Sequence, residues 1–162
     1  MGPGLNPNCW HCEQDRGWFS HMYWDCPEAR RFWNKILKII NEVFKAKLSI
    51  VFNLMTMGLL GNTAIEKGVQ FTFKAMILAG KATIALGWKD RKKWTEEVWS
   101  NYLFDFIQSD IVAVTTQETS WKVKAMMIKT KWKLYFQWII TTGGKDIRWK
   151  LMTLCPWLRS TA

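Results

Sequence analysis

Four residues that commonly bind metal ions lie close together near the N-terminus of the chain. Cys9 and Cys12 are followed by His21 and Cys26, in the pattern C-x2-C-x8-H-x4-C. The C-x2-C step lets one tight turn present two thiolates to a single ion, and the later His and Cys complete a tetrahedral set. We therefore predict one structural Zn²⁺ per chain on these four residues, with no open position for catalysis. The alternative is a set of free cysteines beside a surface histidine.

The same region lacks the groups that zinc-dependent catalysis needs. Nucleobase deaminases place a His-x-Glu element before a Pro-Cys-x-x-Cys element, and no histidine or glutamate precedes Cys9. His11 lies between Cys9 and Cys12, where a tight turn should direct it away from the ion. The chain contains no phosphate-binding glycine loop, no nucleophile elbow and no H-E-x-x-H motif. We expect no catalytic residues and no enzymatic activity from this chain alone.

The net charge of +10 is unevenly distributed along the 162 residues. Residues 27–61, 62–94 and 121–162 are basic, whereas the charged side chains of residues 95–120 are all acidic. Basic blocks favour a polyanion as partner, nucleic acid before an anionic membrane, although a net charge also serves solubility. We expect the phosphate contacts to come from the helix after Cys26 and from a later loop, through Arg30, Arg31, Lys35, Lys38, Lys89, Arg91, Lys92 and Lys93.

Composition points to a folded intracellular protein. Hydrophobic residues make up 49% of the chain, which is enough for a core of its own. The sequence contains no apolar run of membrane-spanning length and no export signal, so we expect a location in the cytoplasm, the nucleus or both.

Hydrophobic periodicity predicts a mainly α protein, a bundle of about four helices with a small N-terminal zinc module. The expected organisation is a zinc module at 1–26, a helical bundle continuous with it at 27–144, and a basic and apolar tail at 145–162. One helix should begin at Pro27 and run for about five turns. The other three should span about 63–89, 95–114 with Thr95 as N-cap, and 119–142. Residues 46–63 are interpreted as irregular chain with one short strand.

The 12 tryptophans require two interpretations. Trp33, Trp99, Trp121 and Trp132 lie on apolar helix faces, and we expect them in the core. Trp10 and Trp18 belong to a loop that is too small to bury all of its aromatic residues. They are the best candidates for stacking on single-stranded bases, and packing against the bundle is the alternative.

Several motifs resemble those of a known family. Cys9-Trp10-His11-Cys12, Gly17, His21-Met22-Tyr23-Trp24-Asp25-Cys26 and Phe32-Trp33 are similar to the C-terminal cysteine-rich segment of LINE-type (non-LTR) retrotransposon reverse transcriptases. The similarity continues in later segments, which are Gly58-Leu59-Leu60-Gly61, residues 79–89 ending Ile84-Ala85-Leu86-Gly87-Trp88-Lys89, residues 94–102, and Trp132-Lys133-Leu134-Tyr135-Phe136-Gln137-Trp138-Ile139.

This resemblance implies a C-terminal module that binds RNA and supports target-primed reverse transcription in a larger polymerase. The partners would be RNA or another single-stranded nucleic acid and the rest of the reverse transcriptase. The paired aspartates of a polymerase palm are absent from this sequence. Two alternatives stay open: a docking module for the parent polymerase, and a truncated remnant without function.

Overall fold

The computed structural model describes residues 8–13, 17–58 and 65–142, together with Lys150, Met152, Thr153 and Cys155. These ranges are mainly helical and contain no β-strand, which confirms the predicted fold class. The α-helices are α1 (Pro27–Phe44), α2 (Phe52–Met57), α3 (Gln70–Lys89), α4 (Glu96–Thr115) and α5 (Trp121–Thr142). A π-helical turn (His21–Asp25) precedes α1, and a 3-10 turn (Lys67–Val69) precedes α3. In this part of the chain, every helix is too short or too polar to cross a membrane.

Helix α1 forms where the sequence predicts it. Pro27 occupies the first helical position, where its missing N–H costs nothing. Lys45 ends the helix in the left-handed conformation, with φ of 51°. Its apolar residues recur at three- and four-residue steps, and these side chains are buried: Phe32, Trp33, Ile36, Leu37, Ile40 and Val43.

Helix α3 is the central element, since it contacts the other four helices and the π-helical turn. Its buried face is rich in small residues, which let neighbouring rings come close to its backbone. The six-membered ring of Trp33 lies against Gly80, and the indole of Trp94 lies against Gly87. These two contacts join α1 and the segment before α4 to the centre of the bundle.

Helices α4 and α5 complete the core through buried tryptophans. Thr95 is the N-cap of α4, as predicted, and its hydroxyl accepts a hydrogen bond from the Val98 amide at 3.2 Å. The buried Trp99 ring on α4 donates its Nε1–H to the Met76 carbonyl of α3 at 2.9 Å. On α5, the Trp132 indole donates to a carboxylate oxygen of Asp110 at 2.8 Å.

Two predicted segments differ from the structure. Residues 52–57 form α2, not irregular chain with a strand, because Leu54 and Met55 are buried and Gly58 ends the helix with φ of 67°. The helix expected from residue 63 begins at Gln70, after the 3-10 turn, while residues 59–64 lie outside the described residues. Most of the predicted tail at 145–162 also lies outside them, although Cys155 is buried.

The expectation that Trp121 packs in the core is wrong. Its side chain is 57% exposed, whereas Trp33, Trp99 and Trp132 are fully buried as predicted. Trp121 is the first residue of α5, and the buried positions of that helix begin only at Ile128. The periodicity of a helix assigns a residue to a face, but the core covers only part of that face here.

We expect Gly80→Ala to destabilise the protein although alanine favours helices by about 1 kcal/mol. A Cβ at this position would lie 2.5 Å from the Trp33 ring, which is buried and rigid. Overpacking of this kind costs about 1–3 kcal/mol in the free energy of unfolding. Gly68→Ala is the control, because a Cβ there meets nothing within 4 Å. Urea unfolding should show a loss for Gly80→Ala alone, and equal stability of the two variants would contradict this packing.

Candidate metal centre and nucleic-acid interface

The four predicted metal ligands come from two short backbone elements. Cys9 and Cys12 lie in a turn that the Glu13 amide closes by donating to the Cys9 carbonyl at 2.7 Å. His21 begins the π-helical turn, and Cys26 ends it and caps α1. The Cys26 amide donates to the His21 carbonyl at 2.9 Å, which fixes these two ligands relative to each other.

The structure brings all four predicted ligands together. The ligand atoms of Cys9, Cys12, His21 and Cys26 lie within 4.8 Å of one another, so the cluster could hold one metal ion. The Cys9 and Cys26 sulfurs are 3.9 Å apart, and the Cys12 sulfur is 3.3 Å from Nε2 of His21. His11 is outside the cluster, in agreement with the sequence-based expectation.

Burial determines the electrostatics of the cluster. Cys9 and Cys26 are fully buried, and His21 is nearly so. Removal from water raises the pKa of the Cys26 thiol to about 12 and also raises the pKa of Cys9. A thiol binds a metal as thiolate, so a cation must displace these protons and in turn stabilises the negative sulfurs.

The metal cluster is part of the core of the bundle. Cys9 and Cys26 belong to the same buried cluster as the apolar faces of the helices. The buried Trp33 ring on α1 donates its Nε1–H to the Tyr23 carbonyl, inside the π-helical turn, at 2.9 Å. Gly17 lies against the Trp88 ring of α3, with no room for a Cβ. The cysteine-rich segment is thereby held by both α1 and α3.

His11 is a packing residue in an aromatic stack. Its ring lies between those of Trp10 and Trp94, with centroid distances of 3.6 Å and 3.7 Å. Burial lowers the pKa of His11 to about 4, so the ring is neutral at pH 7. Its buried Nε2 has no hydrogen-bond partner among the described residues. The stack joins the turn between Cys9 and Cys12 to the segment that precedes α4.

A cleft of about 400 Å³ lies beside this stack, between α1 and residues 93–94. We call it the basic cleft. Three rings and four charged side chains line it, from His11, Phe32, Trp94, Glu28, Arg31, Lys35 and Lys93. Arg31 and Glu28 form an ion pair across one turn of α1. The cleft therefore combines basic side chains from two segments that are far apart in the sequence.

The other predicted basic residues lie outside this cleft. Arg30 donates its Nε–H to the Trp24 carbonyl at 3.2 Å, and its guanidinium lies 5.2 Å from the centre of the Trp24 ring. Lys38 is exposed further along α1, and Lys92 pairs with Asp90 at 3.3 Å. Lys89 and Arg91 are exposed beside that pair. The structure thus gathers Arg31, Lys35 and Lys93 around one cleft, and the other predicted cations lie outside its lining.

The two candidate stacking tryptophans have different surroundings. Trp18 is 64% exposed, and its neighbour Phe19 is 75% exposed. Trp10 is half-buried, and its buried Nε1–H has no hydrogen-bond partner within the described ranges. Trp18 is available to a ligand, while the stacking of Trp10 on His11 agrees better with a packing role.

Sequence reasoning did not identify His11, Glu28, Phe32 and Trp94 as lining residues of a site. A usable signal existed for Trp94, since it directly follows the basic run that ends at Lys93. No family model matches the sequence, and no solved structure matches the chain.

Proposed function

We propose that this chain is a zinc-stabilised module that binds single-stranded RNA and has no catalytic step of its own. The observation that carries the proposal is the convergence of Arg31, Lys35 and Lys93 beside an aromatic wall. Phosphates bind to basic side chains, and unpaired bases stack on aromatic rings. The resemblance to the C-terminal segment of LINE-type reverse transcriptases supports RNA as the partner and a polymerase as the parent protein, acting in the cytoplasm or nucleus.

Zinc is the metal that we propose for the cluster. Three thiolates and one imidazole form a donor set typical of structural zinc. Bonds of about 2.3 Å to a tetrahedral zinc ion separate two sulfurs by about 3.8 Å. The Cys9 and Cys26 sulfurs, 3.9 Å apart, match that separation, while the widest ligand pair, up to 4.8 Å apart, must move closer when the ion binds. The role of the ion is structural, since four protein ligands complete its coordination.

The phosphate contacts predict the salt dependence of RNA binding. The double variant Arg30→Gln/Arg31→Gln should lower affinity for all single strands alike. It should also flatten the plot of log affinity against log salt by about one to two units, because fewer counterions are released. Lys47→Gln/Lys122→Gln removes the same charge from exposed positions elsewhere and is the control. Fluorescence anisotropy at several salt concentrations measures both slopes, and an unchanged slope in the arginine variant would exclude Arg30 and Arg31 as phosphate contacts.

Trp18 is expected to contribute affinity that does not depend on salt. Trp18→Ala should cost about 1–3 kcal/mol in RNA binding with little change in the salt slope, since stacking involves no counterion. Because the ring is largely exposed, the melting temperature should stay near that of the unmodified protein. Trp10→Ala should instead lower the melting temperature, with a smaller effect on RNA affinity. Measuring both quantities on both variants separates the roles, and a stability loss without an affinity loss for Trp18→Ala would refute stacking there.

A protein-docking function is the second candidate, and one surface favours it. Apolar side chains are exposed around the start of α5 and the end of α4, at Val112, Trp121, Val123, Met126 and Met127. Exposed apolar clusters of this kind are typical of interaction sites. Self-association of the purified chain without measurable RNA affinity would favour this function over the first.

A further inference from the structure

We infer that the basic cleft is a site for a phosphate monoester, carried by a nucleotide whose base lies on the aromatic wall. The ligand is a phosphorylated strand end or a free nucleoside monophosphate, which share this chemistry. The inference rests on the proposed function, because it takes a nucleic acid as the ligand. It adds that the cleft prefers a phosphate monoester to an internal phosphodiester.

Charge balance favours a monoester over an internal phosphate. Arg31, Lys35 and Lys93 line the cleft against the single carboxylate of Glu28, which leaves an excess of positive charge. A phosphodiester inside a strand carries one negative charge, whereas a monoester carries about 1.5 to 2 at pH 7. The doubly charged group therefore neutralises the cleft more completely and makes more charge-assisted hydrogen bonds.

The cations reach the cleft from two sides. Arg31 and Lys35 are four residues apart, so they lie on the same face of α1 one turn apart. Lys93 comes from the segment between α3 and α4. The Arg31 guanidinium has five N–H donors, so it can keep its contact with Glu28 and still bind a phosphate oxygen. A group with three free oxygens offers one acceptor to each of the three cations that line the cleft.

The remaining wall fits a nucleobase. Phe32, Trp94 and His11 contribute rings to the cleft, and the His11 and Trp94 centroids are 3.7 Å apart. Because Phe32 is buried and His11 lies between Trp10 and Trp94, the half-buried Trp94 is the ring available to a base, and aromatic rings stack on bases without strong sequence preference. The volume of about 400 Å³ lies within the range of small-molecule sites, roughly 300–1,000 Å³. The cleft thus offers adjacent places for one phosphate and one base.

The test compares ligands that differ only in the phosphate. Fluorescence anisotropy with the full chain would use one RNA decamer in three forms, with a 5′-phosphate, a 3′-phosphate or hydroxyls at both ends. Adenosine 5′-monophosphate and adenosine would serve as competitors. We expect at least one phosphorylated form to bind about tenfold more tightly than its unphosphorylated counterpart, since hydrogen bonds to charged groups are strong. The decamers report a strand end, and the competitors report a free nucleotide.

Two variants test whether the preference for a phosphorylated ligand arises in the basic cleft. Lys93→Gln and Arg31→Gln should each reduce the difference to about twofold or less, because each removes charged donors from the phosphate. Lys47→Gln is the control. Its neighbour Leu48 is hydrogen-bonded to Asn41, which is ten residues, or about 15 Å, from Arg31 along α1, so Lys47 lies away from the cleft. It should keep the full preference. All three side chains are exposed, and equal melting temperatures would show that the fold is intact.

The outcomes separate this inference from the proposed function. Equal binding of all decamers, with no competition by the monophosphate, would overturn the inference and leave RNA binding intact. Direct calorimetric binding of adenosine 5′-monophosphate, but not of adenosine, with no affinity for any decamer would support the inference and reject the RNA-binding function. A preference that survives both Lys93→Gln and Arg31→Gln lies elsewhere on the molecule and also overturns the inference.

Discussion

Cys12→Ser is expected to abolish stoichiometric zinc binding and to unfold the cysteine-rich segment before α1. Serine cannot supply the thiolate that the C-x2-C turn presents, and the remaining three ligands leave the ion incompletely held. Zinc binding is worth about 10–16 kcal/mol in zinc-finger peptides, which are unfolded without the metal, so the short segment before α1 should lose its fold. The helical far-ultraviolet signal should largely persist, because the long helices pack on one another. The near-ultraviolet tryptophan signal should change.

Native mass spectrometry in reducing buffer with zinc supplied measures this result directly. The unmodified chain should contain one zinc ion, and Cys12→Ser none. His11→Gln and Cys155→Ala are the controls, because neither residue belongs to the cluster of ligand atoms. Both should keep one ion per chain. An unmodified protein without bound metal, or zinc retained in full by Cys12→Ser, would contradict the proposed centre.

Trp33→Ala should be among the most destabilising substitutions in the bundle, at about 3–5 kcal/mol. The ring is fully buried, contacts Gly80 on α3 and donates a hydrogen bond to the Tyr23 carbonyl. Because Tyr23 lies between the ligands His21 and Cys26, the loss should also weaken the metal centre. We therefore expect zinc to dissociate faster from this variant, in addition to the lower free energy of unfolding measured in urea.

A matched pair of milder variants isolates that coupling. Trp33→Phe and Trp99→Phe each remove one indole hydrogen bond to a backbone carbonyl, both at 2.9 Å. Each should cost about 1–3 kcal/mol, since a hydrogen bond and part of a buried ring are lost. Only Trp33→Phe should accelerate zinc transfer to a chelator, because Trp99 bonds to Met76 and not to the metal segment. Equal transfer rates for the two variants would show that the Trp33 bond does not support the centre.

The metal cluster and the long helices were predictable because their signals are local. The spacing of Cys9, Cys12, His21 and Cys26 defines a ligand set within 18 residues of chain, and the structure places these ligand atoms together. Pro27 and Thr95 mark helix starts by their own backbone and side-chain chemistry. The 3.6-residue period identified the buried face of α1 for the same reason.

Other features could not be predicted from the sequence because they depend on contacts between residues that are far apart along the chain. Helix α2 has six residues, too few to show a period, and burial of Leu54 and Met55 accounts for it. Trp121 has the period of a core residue, yet it lies at an exposed helix end. Nothing in the sequence around Gly80 and Gly87 indicated that these residues contact the rings of Trp33 and Trp94. Those contacts form only when the bundle packs.

Local patterns were enough to predict a basic, tryptophan-rich helical chain with one candidate set of metal ligands. Which of the cations lie together is evident only from the packing of the helices. Arg30 contacts Trp24, whereas its neighbour Arg31 lines the basic cleft. Lys93, which follows α3, lines the same cleft. The physical reason is that ligand spacing and helical period are properties of short segments. The meeting of Arg31 and Lys93 depends instead on how α1 and α3 pack around Gly80 and Gly87.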